Sequence, residues 1–176
     1  MEVLAECTAK AMIHCAAEKI DITDWLFTLK DQEYQSCSVG HIAGGVSISK
    51  EGKRMSINVE RVADNLLVQH YVEEIGNKDH CRVNSISDSF FGLGNTKLGI
   101  TWELKINVLT VDTCELENRV VVSATNEFLA VLKAMNITDL TPVKSQMLQN
   151  VEEHNAEETP LFAADIHNKV LAERWG

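Results

Sequence analysis

The sequence predicts an α+β fold, a single domain over residues 1–176 in which a curved antiparallel sheet wraps around a long C-terminal helix. Three observations carry this. From residue 46 to about residue 132, segments of period two follow one another with short polar turns and without a strong helical period. Ahead of them stand one alternating strand and short helical turns. Behind them the chain becomes helical, with an amphipathic stretch, VKSQMLQNVEEHNAEE, from Val143 to Glu158.

Residues 3–13 open the sheet: Val3, Ala5, Cys7, Ala9, Ala11 and Ile13 share one face, with Glu6, Thr8 and Lys10 on the other. Asp21 or Thr23 can cap a short helix carrying Trp25, Leu26, Phe27 and Leu29, and a further turn holds Tyr34. SVGHIAGG then reads as a loop in which Gly40, Gly44 and Gly45 frame His41 and Ile42, since glycine allows a tight bend or a close backbone approach to a ligand. Strands are expected over 46–50, 54–62, 66–75, 80–91 and 97–111. The last is the clearest, with Leu98, Ile100, Trp102, Leu104, Ile106 and Val108 alternating against Lys97, Thr101, Glu103, Lys105 and Asn107. A turn from Asp112 to Asn118 leads to 119–132, strand-like through Val120, Val121 and Val122, whereas Glu127 to Met135 reads as strand or helix. Thr141-Pro142 and Thr159-Pro160 each set a capping residue before a proline suited to the first helical position. Pro160 therefore either starts a separate helix, Leu161 to Trp175, or kinks one long helix.

Composition narrows the function. A net charge of −10 argues against nucleic acid as a partner, because phosphate binding needs clustered Lys and Arg, and against an acidic membrane surface. The N-terminus, MEVLAECTAKAMIHC, lacks the basic start and apolar run of a signal peptide, and no transmembrane run occurs, which points to the cytoplasm. Five cysteines without CxxC spacing suit reduced thiols. Self-association into a homo-oligomer is compatible with the sequence.

The C-terminal helix carries the candidate chemistry. At about 100° per residue, Val143, Met147, Val151, His154 and Glu158 form one stripe about 80° wide. It begins apolar and ends in an imidazole and a carboxylate. His154 and Glu158, at i and i+4, can grip one small object: a metal ion is the obvious candidate, and an ion pair at the helix end is the plainer one. On the helix that the sheet wraps, both face the cavity between sheet and helix. A buried glutamate without a partner is costly there, so a cation is the economical solution. Two further ligands should project from the sheet or its rim. His41 is one candidate, and Glu73 or Glu74 the other, since neighbours on a strand point to opposite faces.

The order of elements resembles the Bet v 1-like or START-like (SRPBCC) superfamily, the helix-grip fold of polyketide cyclases, lipid carriers and related enzymes. More closely, YQSCSVGHIAGG, then VEEIG, then HNAEE is similar to the pattern of the diacetylphloroglucinol and phloretin hydrolases. Those are metal-dependent helix-grip enzymes that cleave a carbon–carbon bond between an acyl group and a phenolic ring, with two His and two Glu as ligands. The resemblance implies His41, Glu73, His154 and Glu158 as the ligands here. Such a donor set suits zinc, with iron or manganese as alternatives.

Tyr71 and His70, on opposite faces of one strand, are candidate acids or bases, and each also reads as a structural residue. Trp102 and Phe90 or Phe91, together with Met147 and Val151, would line an apolar pocket for a small hydrophobic or aromatic molecule. His14, His80 and His167 read as surface residues, and Asp88 and Glu103 as solvated strand positions. The expected function is a metal-dependent hydrolase or lyase acting on an acylated aromatic or polyketide-like compound. The alternatives are a metal-free hydrophobic-ligand-binding or polyketide cyclase-like protein, and a structural or regulatory domain whose own side chains fill the cavity.

Overall fold

The computed structural model describes residues 1–92 and 94–175. In chain order it contains β1 (Val3–Ile13), a 3-10 turn (Ala17–Lys19), α1 (Ile22–Thr28), α2 (Asp31–Gln35), β2 (His41–Ile48), β3 (Arg54–Val62), β4 (Asn65–Gly76), β5 (His80–Phe91), β6 (Gly94–Val108), β7 (Cys114–Ala124), α3 (Asn126–Ala134) and α4 (Thr141–Leu171). The seven strands make one antiparallel sheet in the order β1-β7-β6-β5-β4-β3-β2. Strands β2 to β7 each pair with their chain neighbours, and β1 closes onto β7 with Cys7 opposite Val120 and Ile13 opposite Cys114. The sheet curves around α4, which is the helix-grip arrangement.

The two halves of α4 differ. Asn155, Glu158, Thr159, Phe162, Ala163 and Ile166 are buried, whereas Val143, Met147 and Val151 in the first half are only partly so. Phe162 meets Trp25 edge-on at 5.1 Å and lies 5.8 Å from Trp102. Burying a side chain of that kind contributes roughly 1.5–3 kcal/mol. Trp25 also donates through Nε1 to Asp165 Oδ2 at 2.7 Å, tying α1 to α4. Asp21 caps α1 by accepting from the Asp24 amide. The second half of α4 is thus the solid core, and the first half roofs a cavity.

Several boundaries differ from expectation. His41 is not in a loop: it begins β2, and the glycines after it continue the strand. Strand β7 starts at Cys114 instead of Arg119. The ambiguous segment after it is helical because Thr125 accepts from the Phe128 amide and caps α3. Pro160 lies inside a single helix; its ring is on the exposed side, and packing of Phe162 and Ile166 holds the chain beyond it. All five cysteines are buried and free. Among the described residues, no helix is long and apolar enough to cross a membrane.

One departure shapes the cavity. Along β3, Ser56, Asn58 and Glu60 are buried against the helix side, while Met55, Ile57 and Val59 are half-buried on the outer face. Gln69 and Tyr71 on β4 likewise face inward. The usual rule that the apolar face turns inward is inverted here, so this part of the interior is polar.

Candidate metal centre and ligand cavity

His41, Glu60, His154 and Glu158 converge at the polar end of this interior, with one ligand-type atom from each lying within 4.8 Å of all the others. The sheet brings two of them together directly, since His41 on β2 is the cross-strand partner of Glu60 on β3. One turn of α4 supplies the other two.

Each side chain is held from behind. His41 Nδ1 lies 2.7 Å from the Tyr34 carbonyl oxygen, which accepts only, so Nδ1 carries the hydrogen. The His41 ring stacks on the Tyr34 ring at 3.9 Å with the planes 5° apart. Gly44 makes that stack possible: a Cβ there would press on the Tyr34 ring at 3.0 Å. Gly40 serves the chain itself, because a Cβ would run into the Arg61 carbonyl oxygen. Tyr34 donates its hydroxyl to Glu60 Oε2 at 2.7 Å, and Gln69 donates through Nε2 to Glu60 Oε1 at 2.8 Å. Asn118 donates through Nδ2 to Glu158 Oε1 at 3.0 Å and is itself oriented by Trp102 Nε1 at 2.8 Å.

The other ring nitrogen of His41, Nε2, points at two carboxylates. That nitrogen is 3.2 Å from Glu158 Oε2 and 3.6 Å from Glu60 Oε2. His154 Nε2 is 3.4 Å from Glu158 Oε2 and 3.5 Å from Glu60 Oε2, yet it is buried without a hydrogen bond of acceptable geometry. Among the described residues the two carboxylates have no Lys or Arg partner. Burial by itself would lower the His154 pKa, but Glu158 and Glu60 outweigh it and push it up. Burial likewise favours the neutral form of Glu158, and the two histidines outweigh it and hold the carboxyl down. The cluster therefore favours a positive charge, either the proton on His154 or a metal ion in its place.

The spacing suits a particular one. Donors set about 2.0–2.2 Å from a tetrahedral zinc ion are about 3.3–3.6 Å from one another. The four His-to-Glu separations, 3.2 to 3.6 Å, span that interval. The donor set and its burial fit a divalent first-row metal.

Beside the cluster lies a cavity of about 60 Å³, walled by Leu67, Tyr71, Trp102, Val120, Met147 and Val151 and floored by Asn58 and Gln69. Its rim residues Asn65, Leu98, Met147 and Asn150 also line an outer cleft of about 700 Å³ between α3, α4 and the sheet, which marks the route to solvent. Tyr71 packs near Trp102 with ring centres 5.5 Å apart, and burial pushes its hydroxyl pKa well above the usual value, so it stays protonated.

Of the four residues that the sequence offered as ligands, His41, His154 and Glu158 come together. Glu73 does not join them. It lies at the far end of β4 in a two-pronged contact with Arg54, Nε to Oε2 and Nη2 to Oε1, both at 2.7 Å. Glu74 is exposed and accepts from Asn84 at 2.6 Å. Glu60 stands in the fourth position instead. Trp102, Met147, Val151 and Tyr71 do line the cavity. His70 is on the opposite face of β4, exposed, and Phe90 is on the outer face, 39% exposed, leaving Phe91 to face inward against Phe128. His80 and Glu103 are not idle either: His80 Nε2 is 2.7 Å from the buried Glu103 carboxylate. Sequence reasoning missed Glu60, Tyr34, Gln69 and Asn118. A run of Ser56, Asn58 and Glu60 at every second position was the available signal for Glu60, but apolar residues between them mark the other face as the core.

No protein-family model matches the sequence, and no curated protein matches it. Solved structures do share its fold. The di-domain aromatase/cyclase StfQ from the steffimycin biosynthetic pathway superposes with a TM-score of 0.64 at 11% identity, covering 97% of this chain and 52% of that one. The chain thus spans about half the length of that di-domain protein. The Zhui aromatase/cyclase from Streptomyces sp. R1128 gives 0.64 at 9% identity, with 94% of each chain covered. Norcoclaurine synthase from Thalictrum flavum gives 0.52 at 12% identity, with 99% of each covered. At these identities the likeness is one of fold.

Proposed function

We propose that this protein takes a small aromatic or polyketide-like molecule into the cavity between sheet and helix and binds a divalent metal, zinc first and iron or manganese next, through His41, Glu60, His154 and Glu158. On this reading it is a metal-dependent hydrolase or lyase acting on an acylated aromatic compound. The observation that carries it is the set of His-to-Glu separations of 3.2 to 3.6 Å around a point to which the described residues bring no Lys or Arg. When bound, such a metal supplies Lewis acidity toward a ketone oxygen or a water.

The residues then have distinct tasks. Tyr34, Gln69 and Asn118 hold the ligating carboxylates and the His41 ring in place. Trp102, Leu67 and Val120 pack against a flat apolar body and exclude water. Tyr71, kept protonated by burial, holds a proton at its phenolic oxygen for donation to an oxygen of the ligand.

A second reading, a metal-free ligand-binding or cyclase-like protein, is favoured by the full-length likeness to the Zhui aromatase/cyclase. Elemental analysis separates the two. Protein purified without chelator and incubated with zinc should hold about one metal per chain, and His154→Ala/Glu158→Ala should hold none. A metal-free wild type, or a double variant that keeps its metal, leaves the cyclase-like reading in possession of the cavity.

A further inference from the structure

The four-residue cluster lies between two openings, and its members are not equally enclosed. One opening is the apolar cavity with its outer cleft. The other is a surface crevice of about 390 Å³, where the chain entering β2 and the end of β3 meet α4, lined by Val39, Ile42, Arg61, Glu153, His154 and Glu157. Of the four cluster residues only His154 borders the crevice, and it borders the cavity as well, so its imidazole is the partition between crevice and cluster. The His154 side chain is 13% exposed, against 0% for His41, 10% for Glu60 and 7% for Glu158, and its Nε2 makes no hydrogen bond. The ring can therefore turn about its side-chain torsions without breaking a hydrogen bond at that nitrogen, a motion on about the nanosecond scale for a partly exposed side chain.

The two openings treat a divalent cation differently. Through the cavity it would pass Leu67, Trp102, Val120 and Val151, which cannot replace the water it sheds, and burying a charge among apolar groups is costly. The crevice offers carboxylates instead. Glu153 and Glu157 are exposed there, and Arg61 offsets one of their two charges, which leaves the crevice acidic. Each carboxylate is held by one neutral donor, Gln149 Nε2 to Glu153 Oε1 at 2.9 Å and the Val39 amide to Glu157 Oε1 at 3.0 Å. An acidic approach raises the local concentration and the arrival rate of a cation. We infer that the crevice is a loading port for the metal, separate from the door used by the organic ligand: Glu153 and Glu157 collect a divalent cation from solvent, and the His154 ring turns to admit it to His41, Glu60 and Glu158. This rests on the metal reading above. It implies that metal exchanges at the cluster whether the cavity is filled or empty.

The test is the rate of zinc association in stopped flow at low ionic strength, followed with a weak chromophoric zinc indicator. Glu153→Gln/Glu157→Gln should slow association about fivefold or more and leave the dissociation constant within about threefold of the wild type. The slowing should shrink as salt is added. Asp64→Asn, the matching change in the outer cleft, should leave the rate within about twofold of the wild type. Bulk separates passage from long-range attraction: Val39→Trp, at a 97% exposed position of the crevice, should slow loading, whereas Val143→Trp in the cleft should not. Slowing by the cleft variants without slowing by the crevice variants gives the metal to the cleft and overturns the port, while the metal reading stands. Equal rates in all five proteins, or equal slowing by both sets, also overturn it. A wild type that takes up no zinc overturns the inference together with the metal reading on which it rests.

Discussion

Two buried glutamate sites on this molecule are solved in opposite ways. Glu103, on the outer face of β6, is 3% exposed and surrounded by the chain's own Arg and Lys side chains, with the His80 ring beside them. His80 Nε2 lies 2.7 Å and Arg82 Nη2 2.9 Å from its Oε1, Arg119 Nη1 is 3.0 Å from its Oε2, and Lys105 is 3.5 Å away. Cross-strand register delivers two of them, because Glu103 pairs with Arg82 on one side and Arg119 on the other. Glu60 and Glu158, on the inner side, meet only two imidazoles, a tyrosine and amides. Burial and residue type are alike, so the difference lies in where the compensating charge comes from. A carboxylate compensated within the chain is a structural ion pair. A pair of carboxylates facing two imidazoles holds its positive charge as a proton on His154, which a metal ion from outside can replace.

The largest expected effect concerns that outside charge. Zinc at about 100 times its dissociation constant should stabilise the wild type by about 2.7 kcal/mol, a rise in melting temperature of about 5–10 °C for a chain of this size. His154→Ala/Glu158→Ala should show no rise, whereas Glu103→Gln should respond like the wild type in the same thermal scan. A zinc-dependent rise in the double variant would place the metal elsewhere.

Glu103→Ala should cost about 2–3 kcal/mol in urea unfolding without zinc, because it strands Arg82 and Arg119 beside a buried gap. A loss below about 0.5 kcal/mol would mean that those cations rehydrate freely and that the cluster adds little.

The same carboxylate gives a pH signature. Burial alone would raise its pKa, but Arg82, His80 and Arg119 reverse that and lower it from 4.5 to about 2. Its contribution is therefore fully present above the unfolded-state value and is lost as pH falls through about 4.5 toward about 2. Unfolding measured across that window should show a steeper decline in the wild type than in Glu103→Gln, and parallel curves would contradict the assignment.

The smallest effect tests the glutamate that the sequence favoured. Glu73 pairs with Arg54 on a partly exposed strand end, so Glu73→Gln should cost at most about 1 kcal/mol and leave the metal content at the wild-type level. Loss of metal in that variant would return Glu73 to the site.

How far the site could be read in advance depended on which geometry each residue obeys. His154 and Glu158 were legible because helical spacing is rigid and local: i and i+4 share a face in any helix. His41 was legible as a histidine among glycines, although Gly44 and Gly40 serve Tyr34 and the Arg61 carbonyl and the segment is a strand. Glu60 was not legible. Its strand, RMSINVERV, places Met55, Ile57 and Val59 on one face, and periodicity alone assigns that face to the core. Phe90 and Phe91 posed the same two-way choice, and Phe91 proved to be the inward one.

By itself the sequence determined the α+β class, the antiparallel strand run and the helix carrying His154 and Glu158, all of which follow from local periodicity, and it narrowed the α1 cap to Asp21 or Thr23. Only the tertiary structure decided that β1 joins β7, that β3 turns its polar face inward, and that Glu60 replaces Glu73 beside His41. The physical reason is that strand alternation fixes which residues share a face but not which face is buried. That choice belongs to the sheet as a whole, which here curves around a polar cavity as well as an apolar core.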